Sequence, residues 1–168
     1  MSLSMYQASV PLFTRQLEAM ANILGKAEAH AEARKYDQKA LIQARLFPDM
    51  LPLSAQIQIA SDAAKGAAAR LAGIDVPSWE DKEATLEQLK ERCTKTVAYL
   101  AGFKPEQIDG SEEREVILKI GGNPYPFKGQ QYLLSFAIPN FYFHVTTAYA
   151  LLRHNGVEIG KRDFLNAG

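Results

Sequence analysis

Pro139-Asn-Phe-Tyr-Phe-His-Val-Thr-Thr-Ala-Tyr-Ala-Leu-Leu-Arg-His-Asn155 is the stretch whose reading decides the fold. It holds no Asp or Glu, and its first cation is Arg153. From Gly129 to Leu152 no side chain carries a full charge while His144 is neutral. Leu133, Ala137, Asn140, His144, Ala148 and Leu151 recur at steps of four and three, which aligns them on one side of a helix. Asn140 and His144 thus sit one turn apart on an otherwise apolar face. Buried without partners, they would cost on the order of a few kcal/mol. The fold must therefore supply partners, or this face lines a pocket.

A charge-free run of this length raises the question of a membrane span. Gln130, Gln131, Pro139, Asn140, His144, Thr146 and Thr147 stand against it. A helix apolar nearly all round, among amphipathic neighbours, reads as the buried centre of a soluble bundle. The rest of the chain supplies those neighbours. Tyr6, Val10, Phe13, Leu17, Met20 and Leu24 alternate steps of four and three, predicting a first helix from about Ser4 towards Ala33. Asp37 is placed to cap a short helix through Ala44. Phe47-Pro-Asp-Met-Leu-Pro52 then breaks the chain.

A second long helix is expected near Pro52, with Leu53, Ile57, Ala60, Ala64, Ala67 and Leu71 facing inward and Gly73 ending it. Ser78 or Asp81 is expected to cap a third, with an inner stripe of Leu86, Leu89, Cys93, Val97 and Leu100, closed by Gly102. Between Phe103 and Lys128 the period changes to two. Val116, Leu118 and Ile120, a Gly121-Gly-Asn-Pro124 turn, then Tyr125 and Phe127 read as a β-hairpin, which needs the helices or a partner subunit to lie on. The last helix starts after Gly129, kinks or restarts at Pro139, and stops at His154-Asn-Gly156. The expectation is all-α: one four-helix up-down bundle spanning residues 1–168, with a small hairpin inserted before the last long helix.

Composition narrows the function classes. Nineteen basic and nineteen acidic side chains leave no net charge, so the totals give no electrostatic case for nucleic acid or an anionic membrane. Cys93 is the only cysteine, which rules out an internal disulfide and fits a reducing compartment, and the opening residues lack signal-peptide character, so a cytoplasmic location is expected. There is no GxSxG, Walker loop or CxxC. Cys93 itself reads as core. The aromatic set Tyr132, Phe136, Phe141, Tyr142, Phe143 and Tyr149 is mostly core, with a surplus that would suit an apolar pocket or a homodimer interface.

Only three histidines, His30, His144 and His154, could ligate a metal. His144 and His154 are about 15 Å apart along one helix, too far to share an ion. A mixed set of His144, Asn140 and a side chain from the second helix would be poor for zinc. His154 suits a helix C-terminus, where its partial charge meets free carbonyls, and His30 reads as a surface residue. His144 is either a buried histidine satisfied by its neighbours or the centre of a site. In the second case Gln58, Asp62 and Lys65, one stripe on the second helix, would face it. Asp62 would orient the imidazole as a general base, Lys65 would hold an anionic group, and Asp49 would cap the helix or join the pocket rim. The alternative for that stripe is a solvated flank.

The run from Gly129-Gln-Gln-Tyr-Leu-Leu through His144 to Leu152-Arg-His-Asn-Gly-Val-Glu158 resembles the last helix of the DinB/YfiT-like bundles. With Arg45-Leu-Phe-Pro-Asp-Met50, Ala63-Ala-Lys-Gly66 and Asn140-Phe-Tyr-Phe-His144, the whole chain resembles a bacterial branch of that superfamily with no assigned activity. The resemblance implies a four-helix bundle with a hairpin before its last helix, and dimers. Many relatives are read as metalloenzymes, with histidines at i and i+4 of the last helix followed by Arg-Gly-Gln, and a third on helix two. Here His144 matches the later histidine, Asn140 stands at the earlier, Val145-Thr-Thr147 replaces Arg-Gly-Gln, and helix two has no histidine, with Gln58 its nearest counterpart. The expected function is binding of a small polar molecule in a metal-free pocket around Asn140 and His144, with no cofactor. The alternatives are acid–base or transfer chemistry, with or without a weakly held divalent metal at His144, and a purely structural or interaction role.

Overall fold

The computed structural model describes residues 3–167. Helix α1 spans Val10–Arg34 with Pro11 in its first turn, where a missing N–H costs nothing. It begins later than Ser4 because residues 5–9 form a tight turn instead, with the Ser9 hydroxyl bonded back to the Met5 carbonyl (2.7 Å). The connection holds a short helix, α2 (Lys39–Ile42), with the Lys39 N–H donating to the Asp37 carboxylate (2.9 Å). Helix α3 (Leu53–Ala72) starts after Pro52 and ends at Gly73, whose φ of 70° supplies the left-handed stop. Its six inward residues predicted from spacing are all buried.

Helix α4 is Leu86–Leu100, and here the predicted caps are wrong. Thr85 accepts from Gln88 N–H (3.1 Å) while the Gln88 side chain accepts from Ala84 N–H (2.7 Å), so Thr-Leu-Glu-Gln88 is the true start signal. Ser78 and Asp81 lie in an extended loop over residues 73–85. A short helix α5 (Pro105–Ile108) leads to the hairpin, β1 (Glu115–Ile120) antiparallel to β2 (Asn123–Lys128). Ile120 pairs with Asn123, so the turn is Gly121-Gly122 alone, and Asn123 and Pro124 belong to the second strand. Both glycines have positive φ (57° and 84°), the requirement of a two-residue turn that matches strand twist. Val116 and Leu118 form the buried face of β1.

The last helix runs without a break in three parts: α6 (Gly129–Tyr132), a wide π turn over Leu133–Ala137, and α7 (Ile138–His154). Pro139 has no N–H to give the preceding turn, and the π turn absorbs that interruption. A final turn, α8 (Lys161–Phe164), folds back on α1 through Lys26–Asp163 (2.6 Å) and Gln16 to the Phe164 carbonyl (3.0 Å).

The four long helices share one buried cluster. Helix α1 packs chiefly on α4, and α3 packs on both α7 and α4, so α1 and α3 face each other across the bundle. Phe13 and Phe141 meet edge to face at 4.9 Å between α1 and α7. Among the described residues no helix is long and apolar enough to cross a membrane.

Candidate functional site

His144 is 8% exposed, on the α7 face turned to α3. Its Nδ1 lies 2.7 Å from Gln56 Oε1. Gln56 Nε2 in turn donates to the Leu51 carbonyl (3.1 Å). Since a backbone carbonyl only accepts, the amide orientation is set, and His144 must donate through Nδ1–H. The neutral ring then keeps its lone pair on Nε2. Burial holds the His144 pKa below its ordinary value, because the charged form loses hydration without gaining a carboxylate.

The sequence expectation that Asp62 orients this ring is therefore corrected: the partner is Gln56. Gln58, the expected counterpart on the second helix, instead donates to Glu83 (2.8 Å). Asp62 binds Lys65 (2.8 Å) and Arg92 (3.0 Å). Lys65 is 2% exposed and sits 4.3 Å from the Trp79 ring centre, so it is a buried structural cation rather than an open anion holder. Asp49 lies exposed in the loop before α3 and does not cap that helix, whose N-cap is Pro52 without a side-chain bond.

Arg92 was not singled out in the sequence, yet it organises this side of the protein. It is 3% exposed and reaches Asp62, Asp81 (2.9 Å), Glu83 (3.0 Å) and the Glu80 carbonyl (3.0 Å). The guanidinium fork thereby ties the 73–85 loop to α3 and α4. Burial pushes the Glu83 carboxyl up, but hydrogen bonds from Gln58 and Arg92 outweigh it and leave its pKa lowered. Cys93 is fully buried, its thiol pushed up to about 12, which agrees with a core residue and not a nucleophile.

Asn140 is half-buried and opens onto a cleft of about 250 Å³ between α3, the hairpin and the π turn. Asp62, Arg70 and Lys119 share that cleft, with Ile59, Leu118 and Phe136 among its apolar walls. Arg70 Nη1 donates to the Tyr132 hydroxyl (3.1 Å), and the guanidinium carbon lies 5.9 Å from the Tyr132 ring centre. A Cβ on Gly66 would overlap Arg70 Nη1, so this glycine makes room for the guanidinium against the helix. Of the predicted residues the cleft unites Asn140 with Asp62. His144 lies one turn further along α7, engaged with Gln56. Arg70 and Tyr132, 62 residues apart, carried no local signal beyond a glycine in the middle of an alanine-rich helix.

The side chains around His144 do not make a metal donor set. Its contact across the α3–α7 seam is a neutral amide, and among the described residues no group of three or more His, Cys, Asp or Glu side chains is placed to hold a metal ion.

A fold of four long helices with a hairpin ahead of the last, and a polar seam between its second and fourth long helices, defines a DinB-like bundle. The family model described as a domain of unknown function (DUF1993) matches residues 5–165, and the chain belongs to that family. A solved relative, a DinB family member protein from Shewanella denitrificans at 1.83 Å resolution, is 39% identical with a TM-score of 0.86. The match covers 97% of this chain and 92% of that one, which places this chain in the DinB family as well. Comparison with curated proteins gives no match.

Proposed function

We propose that the protein binds a small polar molecule in the Asn140 cleft. The observation that carries this reading is the convergence of an amide (Asn140), a guanidinium (Arg70) and a carboxylate (Asp62) on one small cleft with apolar walls. That mixture is the usual make-up of a small-molecule site: apolar contact for affinity, a few fixed polar groups for orientation. His144 supports the seam behind the cleft and is held by Gln56. His144 is 8% exposed and does not line the cleft, which favours binding there over acid–base chemistry at its ring. The proposal includes a homodimer, supported by exposed apolar side chains such as Phe143 (57% exposed), and a reducing, cytoplasmic setting, supported by the single buried thiol.

The test is a thermal-shift screen of small polar fragments against the wild type and Asn140→Phe, which fills the cleft. Fragments that stabilise the wild type and lose their effect in the variant support the reading. Fragments that stabilise both equally, or none that act on the wild type, overturn it.

A further inference from the structure

Arg70 stands apart from the other buried or half-buried cations. Lys65 and Arg92 are each paired with carboxylates, whereas among the described residues Arg70 has no ion-pair partner within 4.0 Å. Its one side-chain hydrogen bond goes to the Tyr132 hydroxyl, a neutral acceptor. Desolvation of that hydroxyl raises the Tyr132 pKa, so it stays protonated and does not neutralise the guanidinium. The position is nevertheless built, with Gly66 clearing space on α3 and the Tyr132 ring supporting the group from the other side. A half-buried guanidinium held in place without a counter-ion is a ready partner for a planar anion.

Three features of the same cleft select among anions. Its walls include Ile59, Ala63, Leu118 and Phe136, which favour a ligand with an alkyl portion. Its volume of about 250 Å³ suits a molecule of a few heavy atoms rather than a drug-sized one. The Asp62 carboxylate at its border is already paired with Lys65 and Arg92, and Lys119 also lines the cleft, so the charge left for a ligand to meet is positive. Asn140 adds an amide able to donate to the second carboxylate oxygen or accept from a ligand hydroxyl.

We infer that the cleft takes a short-chain carboxylic acid, its carboxylate on the Arg70 guanidinium, oriented by Asn140, with its alkyl part against Leu118 and Phe136. This rests on the reading of the Asn140 cleft as a binding site and names the ligand class for it.

The experiment is a heteronuclear NMR titration of the full ¹⁵N-labelled chain with butyrate, butyramide and inorganic phosphate, following the Arg70 Nε–H and Asn140 side-chain amide signals. Butyrate is expected to shift both saturably, with butyramide and phosphate at least tenfold weaker. Arg70→Gln should abolish the butyrate response in a protein whose spectrum remains dispersed. Should that variant fail to fold, Gly66→Ala, which keeps the charge but displaces the guanidinium, should weaken butyrate at least tenfold. Butyramide or phosphate binding as tightly as butyrate would overturn the carboxylate assignment while leaving the cleft as a binding site. No saturable shift with butyrate, or a response unchanged in both variants, would overturn it as well, and the fragment screen with Asn140→Phe then decides separately whether the cleft binds anything.

Discussion

His144 donates its Nδ1–H to Gln56 Oε1 at 2.7 Å, and this one bond joins the fourth long helix to the second where the sequence suggested an ionic contact. The amide satisfies the ring without charging it. Two stability consequences follow from that difference.

Replacing Gln56 by Leu leaves the His144 N–H and the Leu51 carbonyl without their partner. The expected cost is about 1–3 kcal/mol in urea unfolding. His144→Ala should cost a similar amount, since it orphans the Gln56 oxygen. The pH dependence has a definite sign. Because the folded pKa of His144 is lowered, the unfolded chain takes up a proton first as pH falls below about 6.5. Stability should therefore drop from that point, with a slope approaching ~1.4 kcal/mol per pH unit, and level off once the folded His144 protonates. Above about 6.5 this residue contributes no slope. In His144→Gln the segment should flatten, and an unchanged profile would contradict the assignment.

Arg92→Met should unfold the loop over residues 73–85 before the rest of the bundle. Removing one member of a buried ion network costs about 3–5 kcal/mol, and the lower end is expected here because Asp62 and Asp81 reach solvent. Hydrogen exchange should rise first between Gly73 and Thr85. The lowered pKa of Glu83 means that its contribution is present above its ordinary value of 4.5 and is lost as pH falls through the folded pKa. Glu83→Gln should blunt this acid loss.

Helix existence was legible because period and burial agree. Leu53, Ile57, Ala60, Ala64, Ala67 and Leu71 mark a stripe, and each of them is buried. What escaped was the width of that stripe. Gln56 lies three residues after Leu53 and four before Ala60, on the same inner face, and a polar residue there was the available sign of a partner for His144. The start of α4 was misplaced for another reason. Asp81 has the chemistry of a cap, but Arg92, eleven residues on, draws it into an ion pair, while the Thr85 hydroxyl on Gln88 N–H and the Gln88 side chain on Ala84 N–H set the helix start. The meeting of Arg70 with Tyr132 depends on tertiary packing alone and leaves no periodic trace.

Gly66→Ala separates stability from binding. Alanine improves helix propensity by about 1 kcal/mol over glycine, and the group it displaces is the flexible end of Arg70. Thermal stability should stay equal or rise, while ligand response in the cleft falls. A variant that keeps full response would show that the position of Arg70 against Gly66 is immaterial.

Metal uptake is expected to be weak. After exposure to zinc, nickel or manganese and gel filtration, elemental analysis should find well under one ion per chain, because His144 offers a single imidazole nitrogen with an amide beside it. One ion per chain, lost in His144→Ala, would contradict this account of the site.

The central claim is that the Asn140 cleft receives a small molecule, and a crystallographic fragment soak tests it most directly. The account predicts density between Asp62, Arg70 and Asn140, with a polar atom of the fragment within hydrogen-bond reach of the Asn140 amide. Fragments bound only elsewhere, with none in the cleft, would contradict it.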